Sequence, residues 1–318
     1  MGTPWHWIEF NLFVIAALAL DLDLFHRRAH AIRLREAALW SSVWIALSIL
    51  FGLGIYYRNG SQPALEFFTG YLIEKALSVD NLFIFLVIFR AFSVDERVQH
   101  RVLAWGVLGA LVMRGAMIAV GAALISRFTW ILYLFGVFLL YAGGRMLFAK
   151  GSGMRPEQSR LFRWASRWFP ITHQYREHRF FVLQEGRRYV TPLFLVLLVV
   201  EIIDVTFALD SIPAVFGVTR DVFIVYTSNV FAILGLRALY FLLAGVLRYF
   251  RFLKAGLSAV LLFIGAKMLA EPWLHLPAHV ALAVVGGILA VAMLASWVAG
   301  PAKLETGSPD SFLPKGED

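Results

Sequence analysis

Apolar runs of about 20 residues follow one another along the whole chain, near 7–25, 36–57, 65–91, 101–125, 129–149, 191–216, 222–247, 253–270 and 277–299. At about 1.5 Å per helical residue, each is long enough to cross a hydrocarbon layer of about 30 Å. Lipid offers no partner to a backbone amide, so a spanning segment must satisfy its own hydrogen bonds. Each run therefore reads as a helix; barrel strands would be about half as long. The fold class is an all-α polytopic membrane protein of about nine transmembrane helices. Composition agrees: 60% hydrophobic and 16% charged residues, against about 45–50% and 25% in soluble domains.

Lys and Arg set the orientation. With the N-terminus outside, inner connections hold 21 of the 29 basic residues, nine of them in 150–190, and outer connections hold only Arg58, Arg127 and Arg220. Positive charge stays on the cytoplasmic side, so the N-terminus is expected outside and the C-terminus inside. The net charge of +8 then reflects cytoplasmic loops and not a nucleic-acid face. MGTPWHW has no basic stretch ahead of the first apolar run, so no cleaved signal is expected. There is no cysteine, which excludes disulfides, thiolate metal sites and Cys nucleophiles.

Six segments organise the chain: an N-terminal helix pair (1–64), a three-helix unit (65–149), a basic cytoplasmic loop (150–190), a second three-helix unit (191–270), a ninth helix (271–300) and a disordered cytoplasmic tail (301–318). Within the loop, 159–169 reads as a basic, aromatic helix lying in the inner interface. Residues 180–190 read as a short hairpin turning at Glu185-Gly186. The two three-helix units repeat each other. Leu139-Leu-Tyr-Ala-Gly-Gly-Arg-Met-Leu147 matches Leu261-Leu-Phe-Ile-Gly-Ala-Lys-Met-Leu269 without a gap, at an offset of 122. Arg114 falls on Arg237, and Glu74, Asp80 and Asn81 fall on Asp204, Asp210 and Ser211. Helices 3–5 thus recur as helices 6–8. Three is odd, so the second copy enters from the opposite side, an inverted repeat of the kind transporters build their substrate sites between.

Five acids lie deep in two runs: Glu74 and Asp80, then Glu201, Asp204 and Asp210. Facing lipid they would cost on the order of 12–18 kcal/mol together, by insertion scales. They must face the interior, and two readings of that interior stand open. Lys75, Arg114 and Arg237 can neutralise up to three of them in buried ion pairs. The charge left over suits a divalent cation, held by oxygens alone and so a hard ion such as Mn²⁺, Mg²⁺ or Ca²⁺. Asp204 and Asp210 stand about 240° apart on a regular helix. Pro213 is expected to break the helix beside Asp210 and free the Leu209 carbonyl as a ligand. His275 and His279 read as interfacial histidines, and Asp21 and Asp23 as interfacial acids, with Asp21 also able to face the pathway. No phosphate-binding glycine loop is present, so ATP-driven pumping is not expected.

Gly70-Tyr-Leu-Ile-Glu-Lys-Ala-Leu-Ser-Val-Asp-Asn81 and Glu201-Ile-Ile-Asp-Val-Thr-Phe-Ala-Leu-Asp-Ser-Ile-Pro-Ala-Val-Phe216 resemble the two signature segments of the TerC family. Thr227-Ser-Asn-Val-Phe-Ala-Ile-Leu-Gly-Leu-Arg-Ala-Leu-Tyr240 is similar to its Alx-like branch. The resemblance implies a bacterial inner-membrane manganese exporter in which Glu74, Asp80, Glu201, Asp204 and Asp210 serve export. The expectation is a secondary transporter, not an enzyme and without a prosthetic group, moving Mn²⁺ outward by alternating access. Glu74, Asp80, Asp204 and Asp210 would be ligands, Asn81 or Ser211 would assist, and Glu201 would be a ligand or proton carrier. Export of a divalent ion against an inside-negative potential costs about 4.6 kcal/mol per 100 mV, so inward protons are the expected driving ion. The alternative is a non-transporting scaffold, insertion or stress factor of the same family. Expected partners are the metal, protons and the lipid bilayer, with no nucleic acid.

Overall fold

The apolar runs are largely helical where the computed structural model describes them, over residues 2–26, 34–92, 94–128, 130–148, 180–184, 187–246, 252–274 and 276–300. The described helices are α1 (Pro4–His26), α2 (Leu34–Asn59), α3 (Ser61–Ala91), α4 (Glu96–Arg127), α5 (Ile131–Phe148), α6 (Pro192–Phe216), α7 (Val222–Ile233), α8 (Leu236–Val246), α9 (Leu253–Ala270) and α10 (Ala278–Val298). Among them α2, α4, α5, α6, α9 and α10 are each long and apolar enough to cross a membrane. The pair α7–α8 makes a seventh if counted as one bent span. The protein is thus a helical, multi-pass membrane fold.

The hairpin stands where the sequence puts it. β1 (Phe181–Gln184) pairs antiparallel with β2 (Arg187–Val190), with Gln184 opposite Arg187. Its base is closed by the Thr191 amide and hydroxyl, which both donate to the Phe180 carbonyl, and the Arg101 guanidinium of α4 lies 5.4 Å from the Phe180 ring centroid. The proposed interfacial helix at 159–169 and the tail at 301–318 lie outside the described residues.

Two expectations about helix breaks are corrected. Pro213 does not interrupt α6, which continues as one helix to Phe216. Proline costs a helix most in its interior; here it sits in the last turn, where only one more carbonyl loses its intrahelical donor. The break falls instead inside the run read as one helix over 222–247. α7 and α8 meet at Leu234-Gly235 with a 44° bend. Gly235 has φ +77°, a left-handed conformation that costs a residue with a Cβ about 1–2 kcal/mol. A Cβ there would also run into Trp44 of α2.

The main packing contacts join runs far apart in the sequence. α3 lies against α6 and α7, α4 against α6, and α5 against α9. α3 and α6 run antiparallel: Thr219 Oγ1 donates to Glu66 Oε2 at 2.5 Å, and one turn along Gly70 meets Val215. The α5–α9 seam is backbone on backbone. Gly136 touches Gly265, Gly143 touches Ser258, and the Ser258 hydroxyl donates to the Gly143 carbonyl. A separate aromatic core joins α1, α2, α3 and α7 through Phe10, Phe51, Phe67 and Phe231, with Phe51 and Phe231 rings 4.8 Å apart.

Candidate functional site

Glu74, Ser78 and Asn81 stand at i, i+4 and i+7 on α3, and all three are buried. That spacing puts them on one helical face. Asp204, Ala208 and Ser211 repeat the spacing on α6 and are buried likewise. The antiparallel contact of the two helices turns these stripes into one polar seam. Within it Glu74 Oε2, Ser78 Oγ, Asn81 Oδ1 and Ser211 Oγ are buried without a hydrogen-bond partner. Buried polar atoms are ordinarily satisfied, so four acceptor oxygens along one seam form a ligand-rich surface.

Arg114 of α4 closes the seam. Its Nε and Nη2 donate to the Asp204 carboxylate at 3.2 and 3.0 Å. Its Nη1 contacts Glu74 Oε1 and lies 3.5 Å from Asn229 Oδ1 of α7. One buried guanidinium therefore bridges a carboxylate of α3 and one of α6. A fork that fits carboxylates bidentately suits arginine better than lysine.

Among the described side chains, the other two cations have partners elsewhere. Arg237 turns to α1 and donates from Nε to Asp21 Oδ2 at 2.9 Å and from Nη2 to the Asp21 carbonyl at 2.5 Å. Asp21 is thus buried and paired. Lys75 Nζ donates to the Ala232 carbonyl at 3.2 Å, where α7 ends at the break. The C-terminus of a helix carries a partial negative charge, and the ammonium is stationed on it.

The remaining predicted site residues are dispersed. Glu201 is half-buried, with Oε2 unpartnered, and presses on Gly109 of α4 so closely that a Cβ there would overlap its carboxylate. Asp210, half-buried, lies within electrostatic range of Arg145 on α5. Unbroken, α6 keeps Asp204 and Asp210 on different sides, as the 240° arithmetic requires. Asp80 is described by its backbone alone, on α3; His275 lies outside the described residues, and His279 is exposed. Among the described residues, no three His, Asp or Glu side chains gather as a metal cluster would require.

Residues 59–303 match the family described as integral membrane protein TerC. The chain belongs to that family. It is 50% identical over 312 residues to an Escherichia coli K12 protein named Alx, for which a role as a membrane-bound redox modulator has been suggested; the match covers 94% of this chain and 96% of that one. An uncharacterized membrane protein of Myxococcus xanthus is 48% identical over 298 residues, covering 94% and 93%. One from Rickettsia bellii is 39% identical over 290 residues, covering 91% and 96%. No solved structure matches significantly. Set against the TerC match, the residues that sequence reasoning missed are Asn229, beside Arg114, and Gly109, the seat of Glu201. Small residues recur where membrane helices approach closely, and Gly106 and Gly109, three apart, carried that signal.

Proposed function

We propose that this protein is a secondary transporter that exports a divalent metal cation, Mn²⁺, from the cytoplasm of a bacterium across its inner membrane, coupled to inward protons. The observation that carries the reading is the Glu74–Arg114–Asp204 bridge on an oxygen-lined seam. Carboxylates this deep are functional by default in membranes, and an all-oxygen set suits a hard ion. In the bridged state the guanidinium contacts both carboxylates and offsets one of their two negative charges. A metal ion that takes Glu74 and Asp204 must displace it, so the site has a tethered competitor. Asn81, Ser211 and Ser78 offer further oxygens. Asp80 and Asp210 complete the acidic set along the path, and Glu201 carries protons or assists as a ligand.

The reading includes nine crossings, with α1 and α3 among them, the N-terminus outside and the C-terminus inside. It also includes an inverted repeat, with α3, α4 and α5 corresponding to α6, α7–α8 and α9. Reciprocal contacts support the repeat. At the offset of 122, Gly136 corresponds to Ser258 and Gly143 to Gly265. Gly136 meets Gly265 while Gly143 meets Ser258, the crossed pairing a two-fold relation produces. In the same way α3 packs on α7 and α4 on α6.

A non-transporting scaffold is the competing reading. It draws on the fully engaged Arg114 and on the Asp21–Arg237 pair, either of which can be structural. A thiol-based redox role has no residue to act through, since the chain lacks cysteine. Manganese movement in inverted membrane vesicles, with a pH gradient imposed and then collapsed, separates transporter from scaffold. Uptake by wild type that is lost in Glu74→Gln and Asp204→Asn, both still inserted, is the expected result. Equal uptake in the variants, or none in wild type under any gradient, would overturn the exporter.

A further inference from the structure

Between α1, α2 and α7 runs a groove of about 710 Å³. Its polarity changes along its length. One end is formed by Thr3, His6, Glu9, Arg58 and Asn59, where α1 begins and α2 ends. The rest is apolar, floored by Phe10, Phe51, Ile55 and Phe231. From Asn59 to Leu47, which lines the deep end, is twelve residues of helix, or about 18 Å. One leaflet of a 30 Å hydrocarbon layer is about 15 Å deep. The walls open outward, with Leu50 63% and Phe13 39% exposed. At mid-length Gly54 faces open space, where a Cβ would meet nothing within 4 Å.

We propose that this groove binds one membrane phospholipid whose headgroup carries both a phosphate and an ammonium. An acyl chain would lie along Phe10, Phe51 and Phe231. The phosphate would be held by Arg58, whose planar fork matches phosphate geometry, with Asn59 beside it. Glu9 selects within the phospholipids. A carboxylate at the mouth repels a purely anionic headgroup and attracts an ammonium, so the pair Arg58 and Glu9 is complementary to a zwitterion. The groove is separate from the Glu74–Arg114–Asp204 bridge, and the proposal does not depend on metal export.

The test uses the full-length protein, delipidated in detergent and titrated with phosphatidylethanolamine or phosphatidylglycerol in native mass spectrometry. Wild type is expected to take up one phosphatidylethanolamine per chain in preference to phosphatidylglycerol. Gly54→Leu fills the groove with a good helix former and should bind at least about tenfold more weakly, while its helical content and lipid-free melting temperature match wild type. Arg58→Gln should weaken both lipids, and Glu9→Gln should narrow the preference between them; both sites are exposed, so folding is not at stake. Undiminished binding in Gly54→Leu together with Arg58→Gln, a preference for phosphatidylglycerol in wild type, or a dimer that excludes lipid from this face would overturn the proposal.

Discussion

Replacing Arg114 by Gln removes the one cation shared by two buried carboxylates. The Arg114–Asp204 contact is bidentate at 3.0 and 3.2 Å; at 3 Å and an effective dielectric of about 20, each charge pair is worth roughly 5 kcal/mol of Coulomb attraction before desolvation. Breaking a buried pair by removing one partner costs about 3–5 kcal/mol, because the remaining charge is left without compensation. Asp204→Asn alone should cost less, about 1.5–3 kcal/mol, since it removes a charge-assisted hydrogen bond but leaves Arg114 on Glu74. Once Asp204 is neutral, losing Arg114 strands one acid and not two. The double variant should therefore be milder than the sum of the singles by about 2–3 kcal/mol. Reversible unfolding in mixed detergent micelles, followed by circular dichroism, measures all four corners of the cycle. Additivity within about 0.5 kcal/mol, the behaviour of independent sites, would refute the bridge.

Three further substitutions test the backbone around it. Gly109→Ala puts a methyl into the Glu201 carboxylate; the end of a flexible chain can yield, so the loss should be near the lower limit for overpacking, about 1 kcal/mol, and Glu201→Ala in the same chain should restore the melting temperature. Gly235→Ala meets both a left-handed φ and Trp44, and should lose about 2–5 kcal/mol in the same unfolding assay. Pro213→Ala should change stability by no more than about 1 kcal/mol, and metal affinity should not fall, because α6 is unbroken there.

The helices, their order and the hairpin were legible because each rests on a local pattern: apolar length, or strand-forming residues flanking Glu185-Gly186. The break was misplaced for an equally local reason. Pro213 is the louder residue, but three residues before the end of α6 the missing donor matters little. Gly235 lies within an apolar run that shows no change of period, and it is the approach of Trp44, 191 positions earlier in sequence, that forbids a side chain there. The candidate site was legible as an inventory of charges and not as a set of partners. Arg114 was offered as a counter-ion and serves as one. Arg237, its counterpart by offset, is carried past the α7–α8 bend and finds Asp21, 216 residues away in sequence. Lys75 follows an acid directly in the chain, yet successive helical residues point about 100° apart, and it reaches a carbonyl instead.

Lys75 on the broken end of α7, and Arg114 on its two carboxylates, have a consequence for assembly. Many small metalloproteins fold only when their ion arrives, because ligand repulsion is relieved by nothing else. Here one of the compensating positive charges is encoded in the chain itself. On the exporter reading, newly made protein can complete its interior in a cell starved of the metal, and a chelator should silence transport without melting the helices around the bridge.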